Sequence, residues 1–167
     1  MSNARELSTT KPLVSGTALA TTSGATKDFT GIPSWAKRIT VMLSGVSTNG
    51  TSQPVIQIGS SAGITTTGYS TNTTSITSGA NLTTAYTNGW QFYSSLASNV
   101  VSANLVLTLL DPATNLWTAS GLFQVNIPGI ILMAGTKALP GTLDRIRLTT
   151  SGGTDTFDAG SVNILYE

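Results

Sequence analysis

Seven carboxylates could supply acid–base chemistry or bind a metal ion: Glu6, Asp28, Asp111, Asp144, Asp155, Asp158 and Glu167. A glycosidase needs two such groups facing each other across a cleft, about 5 Å or 6.5–9.5 Å apart. Asp155 and Asp158 are the pair considered for this role, and they lie in a glycine-rich segment at residues 152–160. We favour a tight hairpin turn in which the aspartates cap backbone N–H groups, rather than a catalytic pair.

The same segment has some likeness to glycine- and aspartate-rich turns that bind calcium. Calcium takes six to eight oxygen ligands, of which several are usually carboxylates. Asp155 and Asp158 provide only two carboxylates, in a single copy of the pattern. We therefore expect no metal ion and no other cofactor, with an ion held by these two residues as the open alternative.

Two residue types that often act as catalytic bases, nucleophiles or metal ligands are missing, because the chain has neither histidine nor cysteine. This excludes the Ser-His-Asp triad, zinc sites built on histidine or thiolate, and nucleophilic cysteine. Residues 59–63 fit the G-x-S-x-G pattern, but that motif needs a histidine base and a strand-to-helix turn. A Gly/Ser turn is the better interpretation. We predict a protein without catalytic residues.

Five aromatic residues are candidate glycan contacts: Tyr69, Tyr86, Trp90, Tyr93 and Trp117. Sugar rings stack on aromatic faces, while Asn, Gln and Asp side chains bond to their hydroxyl groups. Neither interaction needs net charge, so the expected ligand is a neutral glycan. The alternative is that these rings lie in the core or in a subunit interface. Trp90 and Phe92 would then share one face of a strand, with Tyr93 on the other.

The charge content is low: 9% of residues are charged, the net charge is +1, and no charged residue lies between Ile39 and Leu110. Nucleic acids are bound through Lys and Arg side chains that neutralise phosphates, so we expect no nucleic-acid partner. A surface with almost no net charge favours association. We therefore expect the chain to be a subunit of a homo-oligomer.

Membrane insertion and secretion are also not expected. The longest strongly apolar stretch, residues 127–134, is interrupted by Pro128 and Gly129, and it is far shorter than the ~20 residues that a spanning helix needs. The first residues, MSNARE, lack the apolar stretch of a signal peptide.

Short runs rich in β-branched and large apolar residues, separated by turn residues, predict about nine strands. They lie at 27–30, 37–44, 55–58, 90–93, 105–110, 116–125, 130–133, 143–149 and 161–166, and the run at 116–125 is one strand or two strands broken near Gly121. The pattern predicts an all-β fold, an antiparallel β-sandwich or jelly roll of about 8–10 strands. Residues 59–88 are either a long loop or a set of edge strands.

The division of the chain follows from composition. Residues 1–24 are small and polar, which is typical of an N-terminal arm or linker, and residues 25–167 form the sandwich domain. Within the domain we expect Asp28 to cap or pair with Lys27 or Lys37. Asp144 should pair with a neighbouring arginine. Phe157 and one face of the last strand, formed by Val162, Ile164 and Tyr166, should pack in the core.

Two long stretches resemble a module that recurs in phage and prophage tail proteins. Residues 28–41 read DFTGIPSWAKRITV and continue into SGVSTNG at 44–50; residues 143–150 read LDRIRLTT, followed by GTDTFDAGSVNILYE at 153–167. The opening NAREL at 3–7 is similar to the start of tail-fibre-like proteins of marine and cyanobacterial phages. Together the two long stretches bracket residues 28–167. Neither contains a catalytic motif.

The resemblance implies a bacteriophage tail-fibre or tailspike module: a β-sandwich in the virion, often a homotrimer, that takes part in host attachment. It would be assembled in the host cytoplasm, would bind other virion proteins through its N-terminal arm and would contact host surface glycan. The alternatives are a capsid decoration (cement or head-fibre) protein and a free carbohydrate-binding module. A polysaccharide depolymerase is disfavoured because the chain is short and offers few carboxylates.

Overall fold

The computed structural model describes residues 12–77, 79–94, 96–126 and 129–167. Those residues form fourteen β-strands, and no helix occurs among them. They accordingly contain no helix with the length and hydropathy needed to cross a bilayer. The predicted all-β class is confirmed.

The strands follow one another along the chain with short connections. In chain order they are β1 (Val14–Ser15), β2 (Leu19–Ala20), β3 (Lys27–Thr30), β4 (Arg38–Thr48), β5 (Pro54–Ser60), β6 (Gly63–Ile64), β7 (Ser70–Thr77), β8 (Asn81–Tyr86), β9 (Trp90–Gln91), β10 (Val101–Asp111), β11 (Leu116–Val125), β12 (Gly129–Ala138), β13 (Leu143–Thr150) and β14 (Phe157–Tyr166).

These strands build two antiparallel sheets that pack as a β-sandwich, as predicted. The larger sheet has nine strands in the order β1-β14-β4-β10-β11-β12-β7-β8, with β2 also paired to β14. The smaller sheet has five strands in the order β3-β13-β5-β6, with β9 also paired to β5. The first and last long strands of the domain thus meet near one edge of the larger sheet, where β14 pairs with β4.

The core lies between the sheets, and most of the long strands turn apolar residues inward and polar residues outward. Ile39 and Val41 on β4 are fully buried opposite Leu107 and Leu105 on β10. The two layers meet at an aromatic contact between Phe92, just after β9, and Phe123 on β11, whose ring centroids are 4.5 Å apart. Of the expected core positions, Phe157, Val162 and Ile164 are buried, whereas Tyr166 is half-buried and packs against the core.

The strand at 116–125 is continuous through Gly121 instead of broken there. The glycine makes this possible, because a Cβ at Gly121 would lie 2.8 Å from the carbonyl oxygen of Asn104 on β10. The run predicted at 90–93 is shorter in the structure, since β9 ends at Gln91.

The undecided stretch 59–88 forms strands rather than a long loop, and two of them, β6 and β8, lie at sheet edges. It contains the end of β5, the short β6 and the hairpin β7–β8. The hydropathy pattern does not reveal strand β7, because its inward residues carry hydroxyl groups. Thr71, Thr73 and Ser75 are all buried.

The N-terminal arm was predicted over residues 1–24, and residues 1–11 of it lie outside the described residues. From residue 12 onward the chain runs along β14, to which β1 and β2 pair. Thr21 is buried and donates its hydroxyl to the carbonyl oxygen of Ala159 at 2.7 Å.

Strands β4 and β14 come into close contact at two glycines. Gly45 and Gly160 have positive φ angles of 65° and 90°, and the pairing of the two strands shifts register on both sides of Ala159. A Cβ on Gly160 would collide with the backbone of Gly45. Glycine meets both demands, since it adopts positive φ freely and has no Cβ.

Candidate functional site

Three of the five predicted aromatic contacts are core residues. Tyr69, Trp90 and Trp117 have exposed fractions of 3%, 0% and 2%. A sugar stacks on an open ring face, so these three residues are not glycan contacts, and the prediction is corrected for them. Tyr69 meets Trp90 edge to face, with ring centroids 5.3 Å apart, which is a preferred geometry for packed aromatic pairs.

The hydroxyl of Tyr69 forms hydrogen bonds with the backbone and so has a structural role. The N–H of Ile58 donates to it at 2.7 Å, and it donates to the carbonyl oxygen of Thr65 at 3.0 Å. Burial raises the pKa of Tyr69. The Lys137 ammonium lies 5.1 Å from the ring centroid and donates to the carbonyl oxygen of Thr67 at 2.7 Å. These contacts fasten the 65–69 segment to the core.

The other two aromatic candidates, Tyr86 and Tyr93, are half-buried. They do not form a common surface on which a sugar ring would stack. Tyr86 donates its hydroxyl to Oε1 of Gln53 at 3.0 Å, and Gln91 donates to the same oxygen at 2.6 Å. Tyr93 packs against the core. In the part of the chain that the structure describes, neither ring stacks with another aromatic ring. Their role in glycan contact stays a prediction.

The two aspartates of the glycine-rich segment make separate local contacts. Asp155 accepts the backbone N–H of Ser52 at 2.7 Å, and this bond lowers the pKa of its carboxyl. Asp158 accepts the hydroxyl of Ser47. The capping role is confirmed for Asp155, although the backbone it caps belongs to another turn of the chain. Among residues 12–77, 79–94, 96–126 and 129–167, no three acidic side chains come together as a metal site.

Three further aspartates, Asp28, Asp111 and Asp144, take part in ion pairs or cap a turn. Asp144 receives two hydrogen bonds from Arg145, at 2.7 and 3.1 Å, which lower the pKa of Asp144 and confirm the expected pair. Asp111 caps its turn by accepting the N–H of Ala113 at 2.9 Å. The pairing predicted for Asp28 with a lysine is wrong.

Asp28 instead pairs with Arg147, because β3 and β13 place the two residues directly opposite each other. Nε of Arg147 donates to one carboxylate oxygen at 2.8 Å and Nη2 donates to the other at 2.7 Å. On its other side Arg147 is opposite Gln57 of β5. A row of three polar side chains therefore crosses the outer face of the smaller sheet.

A groove of about 430 Å3 lies over the Arg147 and Gln57 part of this row, and we call it the polar groove. Its walls are Thr26, Gln57, Thr66, Asn88, Arg147 and the segment 149–153. The side chain of Gln57 donates to the carbonyl oxygen of Asn88 at 2.8 Å. The row of three side chains has no net charge, because the carboxylate of Asp28 neutralises the guanidinium of Arg147.

The groove is suited to binding hydroxyl groups. A guanidinium has five N–H donors, and Arg147 directs only two of them at Asp28. The hydrogen bond to Asp28 raises the pKa of Arg147, so the guanidinium stays charged. Charged donors make stronger hydrogen bonds than neutral ones. The flanking threonine, asparagine and glutamine side chains add neutral donors and acceptors.

A second feature lies on the outer face of the larger sheet and is apolar. Ile76 is opposite Ile130, and Leu122 is opposite Leu132, across strands β7, β12 and β11. All four side chains are exposed, and we call them the apolar patch. A shallow groove of about 660 Å3 adjoins the patch and is lined by uncharged residues alone.

Sequence reasoning missed the polar groove because its residues come from segments far apart in the chain. Only the alternation at 143–149, with Arg145 and Arg147 on one face, was a visible signal for it. Comparisons with protein-family models, with curated proteins and with solved structures gave no match to this chain.

Proposed function

We propose that the chain is a non-catalytic attachment module of a bacteriophage virion, of the tail-fibre or tailspike kind, and that its polar groove binds a glycan of the host surface. The resemblance of residues 28–50 and 143–167 to phage tail proteins supports the virion assignment. The β-sandwich is compatible with it. Strands β4, β13 and β14 and most of β3 fall within these stretches, and so do Asp28 and Arg147 of the polar row.

The observation that carries the ligand class is the row formed by Asp28, Arg147 and Gln57. A carboxylate paired with a guanidinium offers fixed acceptors and donors without net charge. This arrangement suits a sugar that presents neighbouring hydroxyl groups and no charge of its own. We therefore propose a neutral glycan, bound mainly by hydrogen bonds.

Arg147→Lys tests the groove. Lysine keeps the charge but loses the planar array of donors, and we expect binding to a host surface polysaccharide to weaken by roughly ten- to hundredfold. Arg38→Lys is the matched control, because Arg38 lies on the larger sheet and contacts Glu167 at 3.4 Å. Calorimetry on a panel of neutral bacterial polysaccharides would measure both. A wild-type chain that binds none of them contradicts the proposed ligand.

The proposal includes self-association as a homotrimer, attachment to other virion proteins through the N-terminal arm, and location in the virion. Analytical ultracentrifugation tests the trimer. A polysaccharide that is degraded by the wild-type chain but not by Asp155→Asn would overturn the non-catalytic assignment.

A capsid decoration protein is the second candidate, and the apolar patch favours it. An exposed apolar surface of this kind often marks a protein–protein contact, and shell subunits could provide the partner surface. Gold-labelled antibody against this chain separates the two candidates on intact particles. Label at the tail supports a fibre, whereas label distributed over the head supports decoration.

A further inference from the structure

Strand β8 forms an open edge of the larger sheet. It pairs with β7 on one side, and in the described part of the chain no strand pairs with its other side. Four of its six residues are exposed, including Leu82, which is 50% exposed. An edge strand of this kind presents free backbone N–H and C=O groups that can pair with another strand.

The other edges of the two sheets are protected, and β8 is not. The far edge of the larger sheet is covered by two strands of two residues each, β1 and β2. The smaller sheet ends in β3, which carries Lys27 and Asp28, and in the two-residue strands β6 and β9. Short length and charge are common devices against unwanted pairing. Strand β8 has six residues, with neither charge nor proline.

The register of the β7–β8 hairpin identifies which groups are free. The N–H of Thr77 donates to the carbonyl oxygen of Ala80, so these residues are a hydrogen-bonded pair. Such pairs alternate along an antiparallel ladder. Leu82, Thr84 and Tyr86 therefore bond to β7, and the remaining residues turn their N–H and C=O groups to the open side: Asn81, Thr83 and Ala85.

We propose that β8 pairs with β8 of a second copy of this chain, antiparallel, about a two-fold axis that passes through Thr83. In this register Thr83 is opposite Thr83 of the second copy, and Asn81 is opposite Ala85. Each of these pairs exchanges two backbone hydrogen bonds. Side chains that share a face in one copy then continue on the same face in the other, so the two larger sheets become one.

A second copy is the partner that the strand fits best. Pairing β8 with itself brings no like charges together, because the strand has none, and each free donor meets a free acceptor in the register given above. Two-fold contacts that use the same surface on both subunits are also the commonest in homo-oligomers. This inference does not rest on the proposed function. If the chain forms trimers through another surface, this pairing joins two trimers.

Single cysteines test the position of the axis, since the chain has no cysteine of its own. Cα atoms of a hydrogen-bonded antiparallel pair lie about 5.5 Å apart, a separation that a disulfide spans. We expect Thr83→Cys to form a covalent dimer under mild oxidation. Ala85→Cys is the matched control: it is also exposed, but its two copies would lie four residues out of register, roughly 13 Å apart along the strand.

Non-reducing electrophoresis measures the fraction of each variant that forms a disulfide-linked dimer. A dimer from Thr83→Cys with little from Ala85→Cys supports the inference. Equal cross-linking of both variants, or of neither, overturns it. Because glycan binding by the polar groove is measured separately, failure of this experiment leaves the proposed function standing, and the reverse also holds.

A second pair of variants tests the hydrogen bonds. Thr83→Pro removes a donor that faces the open side, where an edge strand tolerates proline, and symmetry removes two bonds from the dimer. We expect the dissociation constant of the dimer, measured by analytical ultracentrifugation, to rise roughly tenfold or more. Thr83→Val keeps the branched shape and loses only the hydroxyl contact with Thr74, so its dimer should persist. A wild-type chain that stays monomeric, or a Thr83→Pro dimer as stable as wild type, contradicts the inference.

Discussion

Arg147 donates two hydrogen bonds, of 2.8 and 2.7 Å, to the carboxylate of Asp28, 119 positions earlier in the chain. The pair links β13 to the edge strand β3 and orients Arg147, which lines the polar groove. Its two side chains are 33% and 37% exposed. Exposed ion pairs contribute little to stability, so the main consequence of the pair is expected in binding.

Asp28→Asn separates these two effects. We expect the free energy of unfolding to fall by no more than about 1 kcal/mol, whereas affinity for the glycan should change clearly because Arg147 loses its fixed orientation. Urea titration and calorimetry on the same preparation measure the two quantities. A large loss of stability with unchanged glycan affinity would show that the ion pair only stabilises the attachment of β3 to β13.

Tyr69→Phe tests the buried hydroxyl. The change leaves the N–H of Ile58 without its acceptor in the core, and we expect the free energy of unfolding to fall by about 1–3 kcal/mol. Tyr86→Phe is the control, because Tyr86 is only half-buried and its hydroxyl contacts the side chain of Gln53. Equal effects of the two substitutions would contradict the structural role assigned to Tyr69.

The same tyrosine predicts a loss of stability in alkali. Burial raises the pKa of Tyr69 above its ordinary value of 10.0, so the folded state holds the phenolic proton more tightly than the unfolded state. This stability is fully present below pH 10 and is lost as the pH rises toward the folded-state pKa. Urea midpoints measured on both sides of pH 10 should decline in the wild type. Tyr69→Phe should lack that part of the decline.

Acid should also destabilise the fold. Hydrogen bonds lower the pKa values of Asp111, Asp144 and Asp155 below their ordinary 3.8. Their contribution is therefore present above pH 3.8 and is lost as the pH falls through the lower, folded-state values. The decrease in urea midpoint between neutral and acid solution should be smaller for Asp155→Asn than for the wild type. An unchanged drop would mean that the bond from Ser52 does not distinguish the folded from the unfolded state.

Phe157→Ala probes the core at the start of β14. The side chain is buried, and its removal leaves a cavity that we expect to lower the free energy of unfolding by about 3–5 kcal/mol. Leu122→Ala is the control, because Leu122 is exposed on the apolar patch and should change stability by less than about 0.5 kcal/mol. Denaturant midpoints compare the two variants directly. A loss below about 1 kcal/mol for Phe157→Ala is incompatible with a packed Phe157.

Gly160→Ala separates steric from conformational cost. Both Gly160 and Gly153 have positive φ angles, of 90° and 70°, but a Cβ at Gly153 meets open space whereas one at Gly160 meets the backbone of Gly45. Gly153→Ala should therefore cost about 1–3 kcal/mol, and Gly160→Ala should cost more. Similar thermal midpoints for the two variants would show that β4 can move aside.

Much of the fold was accessible from the sequence because most core strands alternate apolar and polar residues. Strands such as β4 and β13 follow this rule, as Ile39 and Ile146 illustrate. Strand β7 does not, since Thr71, Thr73 and Ser75 face inward. A hydroxyl side chain satisfied inside the sandwich, as when Thr73 donates to the carbonyl oxygen of Gln91 at 2.8 Å, looks like a surface residue in a sequence.

The candidate site was less accessible for two reasons. Alternation reveals that Trp90 and Tyr93 lie on different faces of the chain, but not which face is covered by the second sheet. The polar groove also depends on register, because Asp28, Gln57 and Arg147 become neighbours only through the pairing of β3, β13 and β5. Nothing in their separate sequence contexts indicates that alignment.

The burial of Trp90 and Trp117 also gives the protein an internal optical reporter. Within the described residues, neither indole N–H has a hydrogen-bond partner. Both rings are shielded from water, so we expect their emission at short wavelengths and out of reach of aqueous quenchers, in contrast to the half-buried Trp35. Opening of the sandwich moves the rings into water and shifts the emission to the red, so integrity of the core is visible without any attached dye.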